Sequence, residues 1–80
     1  MRVEVYTRAH CSLCERAKEV LERARAQVPF DLDWIDIDID PELQRLYRYD
    51  IPVVFINGRK AFKHRFETEE LLVRLKKENP

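Results

Sequence analysis

The sequence predicts an α/β domain: a mixed four-stranded sheet flanked by helices, in the order β-α-β-α-β-β-α. Three observations carry this. The apolar period is two over residues 2–6 and changes to steps of three and four from about Ser12. A second alternating run starts at Asp31, so the first two strands are joined by a long helix and form a parallel pair with a right-handed crossover. Asn57-Gly58 sits between two apolar runs, a strong short-range hairpin signal that adds an antiparallel edge.

Arg2-Val3-Glu4-Val5-Tyr6 alternates polar and apolar, as a short strand does, and residues 7–10 form a loop. Cys14, Ala17, Leu21, Ala24 and Val28 then fall on one helical stripe, which Pro29 ends. The second strand spans residues 31–39 and places Ile35, Ile37 and Ile39 on one face. The Trp34-Ile35 neighbours break its alternation, so a bulge or burial on both faces is expected there. Asp40-Pro41-Glu42 opens a short helix, with an aspartate cap, proline at the first helical position and an acid in the first turn. That helix carries Leu43, Leu46 and Tyr47 inward. Ile51-Pro52 leads into a third strand, Val53-Val54-Phe55-Ile56, and the fourth covers residues 59–63. After a polar loop at 64–67, Thr68 caps a last helix presenting Leu71, Leu72 and Leu75. There is no repeat, linker or low-complexity segment, so residues 1–80 read as a single domain.

Lys plus Arg and Asp plus Glu number 15 each, so the net charge is zero and nothing favours nucleic-acid binding. No run of 18 apolar residues is present to span a membrane. Met1-Arg2-Val3-Glu4 carries an acid where a signal peptide would continue apolar, so an unprocessed, cytoplasmic chain is expected. Two cysteines are too few for a disulfide framework. In a cytosolic chain a C-x-x-C pair is more often catalytic or metal-binding than a structural bridge.

Cys11-Ser12-Leu13-Cys14 falls where the first strand gives way to the first helix. The first turn of a helix has free N–H groups and roughly half a positive charge, both of which stabilise a thiolate. C-x-x-C cysteines in that place titrate at roughly 3.5–7.5, against about 8.5 for a free thiol. Cys11 is therefore the expected nucleophile, with Arg8 and His10 just before it adding positive potential. Cys14 lies one turn further in, on the apolar stripe, and is the expected resolving thiol. The i, i+3 spacing puts both sulfurs on one side of the helix. The same pair is also half of a zinc site, for which His10 and His64 are further candidate ligands.

Val5-Tyr6-Thr7-Arg8-Ala9-His10-Cys11-Ser12-Leu13-Cys14, the strand Ile35-Asp36-Ile37-Asp38 and the segment Ile51-Pro52-Val53-Val54-Phe55-Ile56-Asn57-Gly58 together resemble the glutaredoxin branch of the thioredoxin-like fold. The resemblance covers nearly the whole chain and is closest to the divergent glutaredoxin-like proteins of prokaryotes. It implies a thiol–disulfide oxidoreductase that reduces protein or low-molecular-weight disulfides through Cys11 and Cys14. It implies a cis bond at Pro52, with Ile51 free to pair with a substrate backbone, and a substrate-carboxylate contact at Arg8. The chain departs from the family pattern at Asp50, where a threonine is usual, at Ser12-Leu13 in place of Pro-Tyr, and at Phe62-Lys63 in place of a Gly-Gly pair. Those departures disfavour glutathione. The expectation is a monomer with no bound cofactor, served by a reductase or by glutathione as electron donor. Alternative readings of the same features are an iron–sulfur or metal carrier and a thioredoxin-like protein-binding adaptor.

Overall fold

Alternation at the N-terminus produces β1 (Arg2–Thr7), which buries Val3 and Val5 completely on one face. The helical stripe becomes α1 (Ser12–Gln27), burying Cys14, Ala17, Val20, Leu21 and Ala24. It stops because Val28, the residue before Pro29, is held extended at φ −128° and ψ 106°. In the computed structural model, which describes residues 1–78, β2 (Asp31–Asp36) pairs parallel with β1, from Arg2 opposite Asp31 to Thr7 opposite Asp36. On the other side of β1, β3 (Val53–Ile56) runs antiparallel, followed by β4 (Arg59–Lys63), also antiparallel. The sheet order is β2-β1-β3-β4.

One face of the sheet carries the main core. Val3, Val5, Val54 and Ile56 meet Val20, Leu21 and Ala24 of α1, Phe30 and Phe66, and Leu71 and Leu75 of α3 (Thr68–Glu78). Each large side chain fully buried there contributes about 1.5–3 kcal/mol. The opposite face is covered by α2 (Pro41–Tyr47). The ring of Tyr47 stacks on Tyr6 at 4.5 Å and meets Phe55 edge-on at 6.2 Å.

The hairpin forms as expected, with Asn57 at φ 49° and Gly58 at φ 82°. Asn57 also pins the turn to β1. Its N–H donates to the Arg2 carbonyl at 2.8 Å, and its Oδ1 accepts from the Arg2 N–H at 3.0 Å. The pairing of β3 with β4 slips between Val54, opposite Phe62, and Phe55, opposite Lys60, which leaves Ala61 as a bulge. The two edge strands differ in charge. β2 exposes Asp31, Asp33 and Asp36, and β4 exposes Arg59, Lys60 and Lys63.

Four expectations are corrected. The second strand ends at Asp36, not at residue 39, and Ile37–Ile39 form a 3₁₀ turn. The Asp36 Oδ1 accepts the Asp38 N–H at 2.9 Å, and this local bond replaces a ladder bond. Ile37 is accordingly buried and Ile39 is 76% exposed, so the three isoleucines share no face. β2 has no bulge: Trp34 lies beside Val5 and Ile35 beside Tyr6, on opposite faces. Leu46 does not point inward but is 47% exposed, because the seven-residue α2 docks through Tyr47. Thr68 is the first residue of α3, not its cap. The cap position falls to Glu67, whose N–H donates to Glu70 Oε1 at 3.0 Å and whose carbonyl accepts from Leu71 N–H at 3.1 Å.

Candidate active site

The segment between β1 and α1 leaves the sheet through His10, at φ 58°, a left-handed conformation that histidine tolerates better than most residues. Cys11 follows as the N-cap of α1, extended at φ −116° and ψ 111°. Its Sγ accepts the Cys14 N–H at 3.2 Å, and its carbonyl accepts the Glu15 N–H at 3.1 Å. Sulfur here takes the role that a serine or aspartate oxygen plays at most caps: it satisfies a first-turn donor that has no partner within the helix.

Cys14 differs from Cys11 in environment. It is 6% exposed, while Cys11 is half-buried, and both are free thiols. Burial pushes the Cys14 thiol up to about 12. The hydrogen bond with Cys11 and the negative charges of Cys11 and Glu15 act in the same direction, and a backbone contact from Arg8 opposes them. Cys14 also forms part of the wall of a cavity of about 210 Å³, lined by Thr7, Arg8, Glu15, Lys18 and Trp34.

The Ile51-Pro52 bond is cis. Val53 lies opposite Tyr6, so Ile51-Pro52 and the loop that carries Arg8 and Cys11 leave the sheet at the same end. Pro52 is buried and Ile51 half-buried. The expected free peptide unit at Ile51 is only half free, because its N–H already donates to the Tyr47 carbonyl at 3.1 Å, at the end of α2. Arg8 faces an internal carboxylate. Its Nη2 donates to Asp38 Oδ1 at 2.6 Å, and its Nε lies 3.0 and 3.2 Å from the two Asp38 oxygens. The hydrogen bond from Arg8 holds the Asp38 carboxyl below its ordinary value, and the same bond raises Arg8.

The two histidines are not brought together with the cysteines as a ligand set. His10 is exposed, and the His64 Nε2–H donates to the Tyr49 carbonyl at 2.8 Å. Among the described residues no group of three or more His, Cys, Asp and Glu side chains is arranged to hold a metal ion. His64 has another role that the sequence did not reveal. At φ 65° it turns the chain after β4, and its N–H is shared between the carbonyls of Asp50 (3.2 Å) and Pro52 (3.0 Å), fastening the cis-proline segment. Phe62, where the family pattern has glycine, stacks on Phe66 at 5.2 Å.

The model of the Glutaredoxin-like domain (DUF836) matches residues 2–76. The chain belongs to the glutaredoxin-like family. This glutaredoxin-like chain is 34% identical over 77 residues to the glutaredoxin-like protein YDR286C homolog of Dictyostelium discoideum, covering 89% of this chain and 71% of that protein. It is also 34% identical over 64 residues to an uncharacterised protein of Mycobacterium tuberculosis, covering 74% of this chain and 66% of that one. Its fold is similar to that of a structural-genomics target protein from X. campestris, with a TM-score of 0.80 and 30% identity over 94% of this chain and 96% of that one. Thioredoxin 1 of Thermosipho africanus superposes with a TM-score of 0.71 at 17% identity, over 98% of this chain and 93% of that one, a likeness of fold alone. The glutaredoxin-like chain thus has the thioredoxin-like fold. Its family supports a redox-type function, and both cysteines of the motif are present. No helix among the described residues is long and apolar enough to cross a membrane.

Proposed function

We propose that this chain is a thiol–disulfide oxidoreductase in which Cys11 attacks and Cys14 resolves. The observation that carries the reading is the asymmetry of the pair: Cys11 Sγ caps α1 and accepts the Cys14 N–H, whereas the Cys14 thiol is buried and pushed up to about 12. A Cys11 thiolate attacks a substrate disulfide, one sulfur of the substrate joins Cys11, and the other leaves as a thiolate that takes up a proton. Cys14 then loses its proton and attacks Cys11, the second substrate sulfur leaves as a thiol, and a Cys11–Cys14 disulfide remains. Two electrons pass from the dithiol to the substrate, and two equivalents of thiol, or a reductase, return them.

The order of steps follows from what raises Cys14. Once Cys11 is in a mixed disulfide, it carries no charge and its sulfur is a poorer hydrogen-bond partner. Two of the influences that hold the Cys14 proton weaken at the step that requires its loss. Substrates are disulfide-containing proteins or small molecules. At Ile51 the carbonyl, and not the committed N–H, is the half of the peptide unit that remains for backbone pairing. Both a reductase and glutathione are candidate donors. The filled position at Phe62 favours the reductase.

The test is reduction of hydroxyethyl disulfide by the reduced protein in a single turnover, followed through Trp34. This is the sole tryptophan, and it shares a cavity with Cys14. Wild type should change fluorescence and release two thiols. Cys11→Ser should do neither. Cys14→Ser should release one thiol and hold the other as a mixed disulfide detectable by mass. Thiol release by Cys11→Ser at the wild-type rate would refute the assignment.

A further inference from the structure

β1 and β2 are parallel neighbours, so the residues that follow each strand emerge at the same end of the sheet. Arg8 follows β1 and Asp38 follows β2, and they meet there in three contacts of 2.6–3.2 Å along the Nε–Nη2 edge of the guanidinium. Side-on binding of this kind uses the edge that a substrate carboxylate would need. Asp38 is presented by fixed backbone. Its N–H is bound to Asp36 Oδ1, and its carbonyl accepts from Gln44 Nε2 at 3.4 Å. A carboxylate tethered in this way acts at an effective concentration of about millimolar or more, and a dilute substrate carboxylate does not displace it. Asp36 adds a second negative charge felt by Arg8. Arg8 in turn lines the cavity that reaches Cys14.

We propose that Asp38 is a specificity-determining residue: by occupying Arg8 it makes the cysteine pair discriminate against disulfides with a carboxylate near the sulfur and prefer neutral or cationic ones. The inference rests on Cys11 as the attacking thiol, and it concerns which reagents reach that thiol. Opening the Arg8–Asp38 pair leaves Arg8 in place with a free fork, and the site then accepts anions.

The test compares the rates at which iodoacetate, an anion, and iodoacetamide, its neutral analogue, alkylate Cys11 in the reduced protein. Asp38→Asn should raise the iodoacetate-to-iodoacetamide ratio about three- to fivefold, the scale of one partly exposed ion pair. Asp38→Ser should repeat the shift. In an Arg8→Gln background, Asp38→Asn should leave the ratio unmoved. An unchanged ratio in the single variants, or an equal shift in the Arg8→Gln background, overturns the proposal, the latter because it would reduce Asp38 to a general negative charge. The same variants are then offered dithiodipropionate and hydroxyethyl disulfide in single turnovers. Asp38→Asn should favour the dianionic substrate by a similar factor. If the alkylation ratio shifts as stated but wild type reduces neither disulfide, charge selection at Cys11 stands and the oxidoreductase reading alone fails.

Discussion

Burial of Cys14 has a consequence for stability as well as for chemistry. In the unfolded chain a cysteine loses its proton near 9.0, whereas the folded, reduced protein holds the Cys14 proton to about 12. Between those values the unfolded state binds fewer protons than the folded one. The contribution is therefore complete below about 9 and is lost as pH rises toward 12. The slope for one group is about 1.4 kcal/mol per pH unit. Urea unfolding of the reduced protein, repeated at rising alkaline pH, should show this decline, and Cys14→Ala should remove that part of it. Oxidation to the Cys11–Cys14 disulfide should remove it too, because no thiol is then left to titrate. Equal slopes in wild type and Cys14→Ala would assign the decline to other groups.

Elements whose cause lies within a few residues were legible in the sequence. β1 follows from alternation, α1 from its stripe and the Val28-Pro29 stop, and the hairpin from Asn57-Gly58. Cys11 and Cys14 were legible for the same reason, since a cap and a position one turn along need only local geometry. The end of β2 was not. Ile35-Asp36-Ile37-Asp38-Ile39 alternates well enough for a strand, but β1 ends at Thr7 and offers no ladder partner beyond Asp36. Asp38 beside Arg8, and His64 beneath Pro52, depend on which chain ends the sheet brings together, which local pattern does not encode. Parallel pairing of β1 and β2 was itself predicted, and it held the signal for the first of these. The hairpin also permits a clean test of backbone preference. Gly58 sits at φ +82°, and an added Cβ would meet no atom within 4 Å. Gly58→Ala should therefore cost about 1–2 kcal/mol through conformation alone. A matching drop in unfolding free energy, with the cysteine chemistry unaltered, is the expected result.

Across the whole molecule the two faces of the sheet are closed unequally. α1 and α3 complete the apolar cluster on one side. On the other, α2 covers the aromatic group of Tyr6, Tyr47 and Phe55, while Arg2 remains at the surface bound to Asp33 at 3.1 Å. A chain of 80 residues buries a modest core, so the sheet's open edges matter as much as that core. The edges carry opposite charge, acidic along β2 and basic along β4. Replacing Arg59 and Lys60 with valine should increase light scattering on concentration while leaving the circular dichroism of the fold intact. Two copies meeting symmetrically, β2 on β2 or β4 on β4, would set like charges against each other, so two-fold extension of the sheet is opposed. The one continuation that charge permits is β2 of one copy on β4 of the next. That contact repeats head to tail without closing, so while both edges keep their charges any extension of this sheet runs toward a growing fibre and not toward a dimer.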